Sequence, residues 1–476
     1  MPTTTPVSTT PAGHAPRPGS VAPAPPHARS ALAAAMLGFF VVALDAQATN
    51  VALPDIHTDL GGGLSGLQWV VTGYTLMFSA LLLFGGTLSD RIGARRAYGA
   101  GMLVFVAASV ASCGLAPNLA TLIVARLAQG VGAALITPTS LALIREAYLD
   151  STQRARAIAF WAMGGAVAAA AGPILGGALT QLNWRWIFIL NVPAAALALA
   201  VLSRTARTVR RGTTPFDPVG QVTAIIALGA LTYAVIEGGG LGYTSPAILG
   251  SFVISAVALA VFFTAQRRGR HPMVPLALFR SRTVTTALSV AFLTMAAFYG
   301  VVFLQSLYFQ QFRGAGALQT GLLFLPMTAM VALLNPAVAH VSARFGPLVP
   351  IVAGQLIMIG GLVALSLAPA DAPLLLIAVL MVPVGVGGSF TVPPVTSLLM
   401  DSVDAHQAGT ASGVLNTFRQ LGGSLGVAAF GAIVATASSF PTGLHISLLS
   451  IAALLVLAVT ATIPLARARH VSGLHP

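Results

Sequence analysis

The stretch "FFVVALDAQATNVALPD", residues 39–55, places the acidic residue Asp45 inside an otherwise apolar segment that ends just before Asp55. The segment begins near Ala31 and runs to Pro54. At about 1.5 Å per helical residue, it is long enough to cross the roughly 30 Å hydrocarbon core of a bilayer. An ionised carboxylate at the centre of such a helix costs about 2.5–3.5 kcal/mol. We therefore expect a membrane-spanning helix in which Asp45 has a functional role.

The composition excludes an ordinary soluble protein. Of the 476 residues, 56% are hydrophobic and only 7% are charged, whereas soluble domains have about 25% charged residues. The single cysteine, Cys113, excludes internal disulfides and is expected to pack in an apolar stretch. The sequence has no metal-ligand cluster and no catalytic constellation, so we expect no metal, no cofactor and no enzymatic activity.

Fourteen apolar stretches are long enough to be membrane helices. They start near Ala31, Leu67, Ala97, Leu119, Arg156, Trp186, Val219, Ser245, Val284, Leu318, Pro347, Leu374, Ala408 and Leu444. Residues 1–30, which are rich in Pro, Ala and Thr, are expected to form a disordered tail. We therefore predict an all-α membrane protein.

The arginines predict its orientation. The formal charge is +13, and all 24 basic residues are arginine. With a cytoplasmic N-terminus, twenty of them fall on the cytoplasmic side, two (Arg185 and Arg313) lie outside, and two (Arg126 and Arg419) lie within spans. Because cytoplasmic loops of membrane proteins are rich in basic residues, we expect both termini in the cytoplasm, at the inner (plasma) membrane. Nucleic-acid binding is not expected, because the arginines sit in short loops between apolar spans.

Three sequence pieces recur at a nearly constant offset. "SDRIGARR" and "SARFGPLV" begin at Ser89 and Ser342, "GVGAALITP" and "GVGGSFTVP" at Gly130 and Gly385, and "QRARAIAFW" and "QAGTASGVL" at Gln153 and Gln407. The offsets of 253, 255 and 254 residues predict two homologous six-helix halves, 31–204 and 284–467, as in secondary transporters. The two spans within 205–283 are then an insertion, and 468–476 a cytoplasmic tail.

Three motifs in the first half carry polar or small residues at membrane depth or at a span end. "GTLSDRIGARR" contains Asp90, which can bind helix-end amides or arginines, and Gly93, which suits a tight turn; a plain basic loop is the alternative. "LIVARLAQGVGAALITP" places Arg126 inside a span, where it needs a partner or water unless it extends to the surface. "AGPILGGAL" combines small residues with Pro173; generic helix packing is the alternative.

The chain resembles the major facilitator superfamily, in its fourteen-helix branch of drug:proton antiporters. The resemblance covers about Ala31 to Arg469 and rests on "LDAQATNVALPDI", "GTLSDRIGARR", "ARLAQGVGAA", "AGPILGGAL", "NWRWIFILNVP" and "NTFRQLGGSLGVA". Ala168 departs from the antiporter motif, which usually has glycine there. The resemblance implies the major facilitator fold, a gating motif of Gly86, Asp90, Arg91, Gly93, Arg95 and Arg96, and an antiporter motif of Gly172, Pro173, Gly176 and Gly177.

In this superfamily the first and fourth helices line the central cavity. Asp45 and Arg126 lie about 13 Å and about 10 Å below the outer ends of their spans, at about 1.5 Å per residue. We therefore expect them to pair, with Asp45 as the proton carrier. A static ion pair that fixes the packing is the alternative.

The cavity is expected to combine aromatic and polar side chains. The predicted residues are Trp161, Tyr299, Phe303, Phe418, Gln47, Asn50, Gln129, Asn416 and Arg419; for the aromatic ones, packing against neighbouring helices or lipid is the alternative. Since Asp45 and Glu237 are the only acidic residues within spans or at their ends, we expect neutral or anionic lipophilic substrates rather than multivalent cations.

These inferences together predict a monomeric efflux antiporter, driven by the proton-motive force, that exports drug-like or secondary-metabolite compounds by alternating access. A proton-coupled uptake symporter shares the fold and differs in the direction of flux. A membrane sensor with a transporter-like body is a further alternative, and it would bind ligand without flux.

Overall fold

The structure, a computed structural model, describes residues 26–110, 116–206, 216–404 and 407–471. The predicted disordered tail, apart from residues 26–30, and Cys113 lie outside these ranges. The α-helices of the described ranges are α1 (Pro26–Leu60), α2 (Gly63–Ile92), α3 (Ala94–Ala108), α4 (Leu119–Ala147), α5 (Ser151–Thr180), α6 (Trp186–Ile189), α7 (Asn191–Ser203), α8 (Pro218–Leu241), α9 (Pro246–Arg268), α10 (Arg282–Leu307), α11 (Ala317–Leu333), α12 (Asn335–Phe345), α13 (Leu348–Ser366), α14 (Leu374–Met400), α15 (Ala408–Thr436) and α16 (Phe440–Val471). A 3₁₀ helix, Leu276–Arg280, precedes α10, and a π-helical turn, Tyr308–Phe312, follows it.

Side-chain caps fix several helix starts. Asn118, Asp150 and Asp217 each accept a hydrogen bond from the backbone N–H three residues on, at the starts of α4, α5 and α8. Such caps satisfy amides that the helix itself leaves unpaired. The sequence led us to expect that the first helix ends at Pro54. Instead, α1 continues through Pro54 to Leu60.

Twelve helical spans in the described part of the chain are long and apolar enough to cross a membrane, with α6 and α7 counted as one. The bent pair α11 and α12, at 43° to each other, makes thirteen. The predicted third span is absent from this count, because α3 has only 15 residues and the chain beyond it enters the undescribed residues 111–115. The protein is therefore all-α with twelve or thirteen candidate spans, and the count of fourteen is not confirmed.

Two groups of helices pack in the same pattern. In the first group (α1–α7), α1 packs on α5 and α3 on α4; in the second group (α10–α16), α10 packs on α15 and α13 on α14. The remaining helices, α8 and α9, pack on each other, and α8 also contacts α2 and α15. Gln221 of α8 donates to the carbonyl of Ala80 (2.7 Å), and Trp69 of α2 donates to Glu237 (2.8 Å). The α8–α9 pair thus lies along the seam between the two groups.

The hydrophobic cores differ at the two ends of the bundle. We call the end that carries Arg91, Arg145, Arg267 and Arg280 the arginine-rich end, and the other the opposite end. Towards the opposite end, one continuous core contains residues of both groups. Towards the arginine-rich end, each group has a core of its own. The two groups therefore share a core at one end and have separate cores at the other, where Leu83 of α2 still contacts α15 at Gly413.

Hydrogen bonds reinforce this closure at the opposite end. Gln68 of α2 donates to the carbonyls of Val427 (3.2 Å) and Ala428 (2.7 Å) on α15. Ser306 of α10 donates to the carbonyl of Asn50 on α1 (2.6 Å). Because each bond joins the first group to the second, opening this end requires all of them to break.

Candidate functional site

A polar central cavity of about 500 Å³ lies between α2, α4 and α15 at the arginine-rich end. Its lining includes Gly86 and Asp90 of α2, Arg145 of α4 and Asn416 of α15. The cavity lies where the two helix groups have separate cores, so it is the opening between them. A small molecule could enter it from this end only, since the opposite end is closed.

Asp45 of α1 and Arg126 of α4 form an ion pair between Oδ2 and Nη1. Each residue is only 1% exposed. The Nε of Arg126 donates to the carbonyl of Val70 on α2 (2.9 Å), and its guanidinium carbon lies 4.4 Å from the centre of the Tyr74 ring. This ring face stabilises the buried cation, so three helices hold the arginine in place.

Three further polar side chains complete a polar cluster around this pair. Asn191 of α7 donates to Asp45 Oδ1 (2.9 Å), and Gln129 of α4 donates to the same oxygen (3.3 Å). Both also donate to the Ser109 hydroxyl, at 3.2 and 2.7 Å. Every described hydrogen bond at the Asp45 side chain is donated to it, as suits an ionised carboxylate. The pairing expected from the sequence is therefore present, inside a network.

Sequence reasoning missed Asn191, Ser109 and Tyr74. The signal for Asn191 was available: it is a polar residue within an apolar span, in the stretch "NWRWIFILNVP". The reasoning that singled out Asp45 applies equally to it. Tyr74 and Ser109 carry no comparable signal, because tyrosine and serine are ordinary residues in membrane helices.

The predicted gating motif makes the turn between α2 and α3. Gly93 has φ 91°, in the left-handed region that favours glycine, and its N–H donates to the carbonyl of Ser89 (2.9 Å). Arg95 donates to the carbonyls of Ser203 and Thr205, both at 3.0 Å, and so binds the end of α7. Arg91 lies 5.8 Å from the ring of Phe216, which precedes α8. Arg96 is exposed.

Asp90 stands apart from the rest of this motif. Its side chain is exposed at the mouth of the central cavity. Within the part of the chain that the structure describes, it forms no ion pair or side-chain hydrogen bond. The acidic group is thus free in this conformation, in which the arginine-rich end is open.

The predicted antiporter motif lies where α5 contacts two other helices. A Cβ added at Gly176 would lie 2.7 Å from the carbonyl oxygen of Ala48 on α1, and Gly172 likewise faces α1. A Cβ at Gly177 would lie 2.8 Å from the Cα of Leu318 on α11. The carbonyl of Pro173 touches α11 at Gly321. The motif therefore provides close helix contact, both within the first group and across to the second.

The predicted cavity residues are distributed over several environments. Trp161 stacks on Phe39 (4.1 Å between ring centres) and donates to the Ser140 hydroxyl (2.9 Å). Phe303 is fully buried in the core shared by both groups, and Tyr299 packs at Gly423. Gln47 and Asn50 are buried on α1, and Gln129 belongs to the polar cluster. Asn416 borders the central cavity, whereas Phe418 borders a second cavity.

Arg419 of α15 is a second interior cation. It donates to the carbonyl of Val392 (2.9 Å), to the hydroxyl of Thr396 (2.6 Å) and to Asn416 (3.4 Å). Its Nε is buried without a hydrogen-bond partner in the described ranges, where no acidic side chain pairs with it. The positive charge next to Asn416 is therefore not balanced by an acidic residue there.

The sequence profile of the Major Facilitator Superfamily matches residues 35–427. The chain belongs to the major facilitator superfamily. It is thus a multi-pass membrane protein of a transporter family. Groups of three or more His, Cys, Asp or Glu that could hold a metal ion are not found within the described residues.

Its curated superfamily relatives include proteins named for drug resistance. The chain is 39% identical to the multidrug resistance protein Stp of Mycobacterium tuberculosis, over 85% of this chain and 75% of that protein. It is 36% identical to the methylenomycin A resistance protein of Bacillus subtilis (90% and 93% covered). It is 32% identical to the tetracenomycin C resistance and export protein of Streptomyces glaucescens (85% and 76%).

Solved structures share the superfamily fold at low sequence identity. The peptide transporter POT in complex with sulfate has a TM-score of 0.69 at 17% identity, with 92% of this chain and 94% of that chain covered. A bacterial homologue of the human lysosomal transporter Spinster has a TM-score of 0.67 at 18% identity, with 93% and 97% covered. These similarities concern the fold alone.

Proposed function

We propose that this chain is an efflux antiporter of the inner (plasma) membrane that exports lipophilic, drug-like compounds at the expense of the proton-motive force. The observation that carries the proposal is the buried pair of Asp45 and Arg126, an acid and its cation deep inside a transporter fold. The names of the relatives, which refer to multidrug resistance and to resistance and export, support the outward direction.

The orientation follows from the basic residues. The arginine-rich end is cytoplasmic, because basic residues accumulate on that side of a membrane. The start of α1 and the end of α16 then both lie in the cytoplasm. In this orientation the described conformation is open to the cytoplasm and closed to the outside, ready to accept a compound from within the cell or from the inner leaflet.

The proton cycle is built on the access of water to Asp45. In the inward-open conformation the carboxylate is ionised, bound by Arg126 and Asn191, and shielded from water. Opening of the outer end admits water; Asp45 then takes up a proton and releases Arg126, and the compound leaves. The protonated form returns to the inward-open state with the pair still broken, so that Asp45 can lose its proton to the cytoplasm before the ion pair re-forms and shields it again. No covalent step is involved, so the protein is not an enzyme.

We propose the same division of the chain that the repeats predict. Residues 31–204 and 284–467 move as two six-helix halves, and their matching packing patterns support this division. Residues 205–283 contribute the inserted helices α8 and α9. We also propose fourteen spans, with α3 as the third, as in the fourteen-helix branch of the superfamily, and one copy of the chain as the transport unit.

The charges in the interior indicate the substrate class. Arg126 is balanced by Asp45, whereas Arg419 has no acidic partner among the described residues. An interior with an excess cation disfavours multivalent cationic substrates. We therefore propose neutral or singly anionic lipophilic compounds, with Arg419 and Asn416 as contacts for the anionic group.

Everted membrane vesicles test this function directly. A panel of neutral, anionic and dicationic lipophilic dyes is added to vesicles whose lumen has been acidified by respiration. We expect protein-dependent accumulation of neutral and anionic dyes, which a protonophore abolishes. Proton-driven movement out of the vesicles would instead identify an uptake symporter, and binding without flux would identify a sensor. Vesicles with Asp45→Asn serve as the uncoupled control.

A further inference from the structure

A second cavity, which we call the lateral cavity, lies beside the central one. It has a volume of about 840 Å³ and is enclosed by α2, α8, α9, α15 and the 3₁₀ helix before α10. Its lining includes Ala80, Ala224, Leu228, Phe262, Phe279 and Phe418. Leu83 and Met273 border both cavities and separate them. The proton cycle and the central cavity do not use this space.

The lateral cavity borders the lipid-facing surface of the bundle. Leu259 and Phe263 of α9 line it and are also exposed, with 36% and 49% of their surface accessible. On a membrane protein such apolar side chains face acyl chains. Two hydroxyls line the cavity: that of Ser79 donates to the carbonyl of Leu76 (2.8 Å), and that of Thr417 is buried without a hydrogen-bond partner in the described ranges. The cavity is therefore accessible to an apolar chain from the bilayer.

The cavity has a positively charged rim. Arg267 at the end of α9 and Arg280 in the 3₁₀ helix both line it, and no acidic residue of the described chain does. Neither arginine forms an ion pair or a hydrogen bond with the rest of the described chain. Asp217, at the start of α8, is already bound by Gln266 (2.6 Å) and by a backbone amide. Two arginines are thus available to one external anion.

We propose that the lateral cavity binds an acidic phospholipid. One acyl chain lies among the apolar side chains of α8, α9 and α15, and the phosphate is held by Arg267 and Arg280. Arginine binds phosphate oxygens through paired, charge-assisted hydrogen bonds, and the volume lies within the range of ordinary ligand sites. The lipid fills the gap between the inserted helices and the seam of the two groups, which gives α8 and α9 a role.

Native mass spectrometry of the purified full chain tests the site. Detergent-solubilised protein is titrated with dioleoyl phosphatidylglycerol or with dioleoyl phosphatidylcholine, which has the same chains and no net charge. We expect one phosphatidylglycerol to be retained at a roughly tenfold lower concentration than phosphatidylcholine, because both lipids carry a phosphate but only phosphatidylcholine neutralises it with its own choline cation. Combined Arg267→Gln and Arg280→Gln should abolish this preference, and Ala224→Trp should block retention of either lipid.

Two matched variants serve as controls. Arg268→Gln removes the neighbouring arginine, and Ile226→Trp adds a bulky ring two residues from Ala224 on the exposed face of α8; both should bind lipid as the wild type does. Equal retention of the two lipids would overturn the proposal. An equal loss of the phosphatidylglycerol preference in Arg268→Gln would also overturn it, because that loss would indicate an effect of bulk charge. Displacement of the lipid by inorganic phosphate alone would overturn it as well. If Ala224→Trp fails to fold, the arginine variants decide the question.

Discussion

At the scale of single residues, Asp45 is tolerated inside a bilayer helix because its charge is matched. Arg126 supplies the opposite charge, and Asn191 and Gln129 occupy the other oxygen. Arg126 is in turn satisfied by the Val70 carbonyl and by a ring face. Breaking such a pair is costly, since it leaves a buried charge uncompensated. The proton exchange that we propose for Asp45 therefore requires a change in the surrounding helices.

Asp45→Asn tests this coupling. Asparagine keeps the shape of aspartate but cannot exchange a proton, so we expect normal insertion and loss of pH-driven efflux. Asp59→Asn is the matched control on the same helix: Asp59 is exposed and its partner Arg185 is partly exposed, and pairs at the surface contribute only about 0–1 kcal/mol. The measurement is efflux against an imposed pH gradient in proteoliposomes. Wild-type efflux by Asp45→Asn across the pH range would rule out this residue as the proton carrier.

Arg126→Gln tests the energetics of the pair. It leaves Asp45 buried without its cation, and removal of one partner of a buried pair costs about 3–5 kcal/mol. We expect a clear fall in the thermal unfolding temperature in detergent. Asp45→Asn combined with Arg126→Gln removes both charges and should recover much of this stability, but not transport. A double variant as unstable as Arg126→Gln would assign the loss to the contacts of Arg126 with α2 instead.

At the scale of helices, hydropathy predicts where the spans lie but not how they rotate about their axes. The charge of Asp45 and Arg126 was enough to predict their pairing, because few partners exist at that depth. Phe303 had no such signal: α10 is apolar on every side, and this residue faces the shared core rather than the central cavity. The contact of Asn191 with Asp45 likewise depends on how α7 is turned.

Gly177→Ala tests the contact between α5 and α11. The added Cβ would lie 2.5 Å from the carbonyl oxygen of Ala317 and 2.8 Å from the Cα of Leu318, so the helices have to separate, at a cost of about 1–3 kcal/mol. We expect the inward-open state to lose population and efflux to fall. Gly164→Ala is the same substitution on the same helix, where the nearest atom is 3.6 Å away, and it should be neutral. The reporter is labelling of Gln310→Cys by a membrane-impermeant maleimide from outside; unchanged labelling in Gly177→Ala would contradict the expectation.

Asp90→Ala tests the turn between α2 and α3. The acid is unpaired in the described conformation, so we expect it to bind a helix end or an arginine only when the arginine-rich end closes. The variant should slow transport while substrate affinity in the inward-open state stays unchanged. Asp401→Ala removes another exposed acid at the same end and is the control. An equal loss of affinity and rate in Asp90→Ala would indicate a folding defect rather than gating.

At the scale of the whole molecule, the distribution of the core describes one state of a two-state transporter. The first and second groups share a core towards the opposite end and have separate cores towards the arginine-rich end. Alternating access requires the reverse distribution in the other state, because packed interfaces switch between discrete arrangements. The bonds of Gln68 to α15 are then present in one state and absent in the other.

A disulfide between α2 and α15 tests this alternation. A Cβ at Gly431 would lie 2.8 Å from the Cγ of Gln68. In Gln68→Cys the sulfur would take the place of this Cγ, so the distance suits the short reach of a disulfide. In a chain that carries Cys113→Ser, Gln68→Cys and Gly431→Cys together should cross-link under mild oxidation. We expect transport to stop and to return with dithiothreitol, whereas Gln68→Cys alone responds to neither reagent. Binding of substrate should survive cross-linking, because the locked state is open at the arginine-rich end, which we propose to be cytoplasmic. Full transport by the cross-linked protein would mean that this end does not open during the cycle.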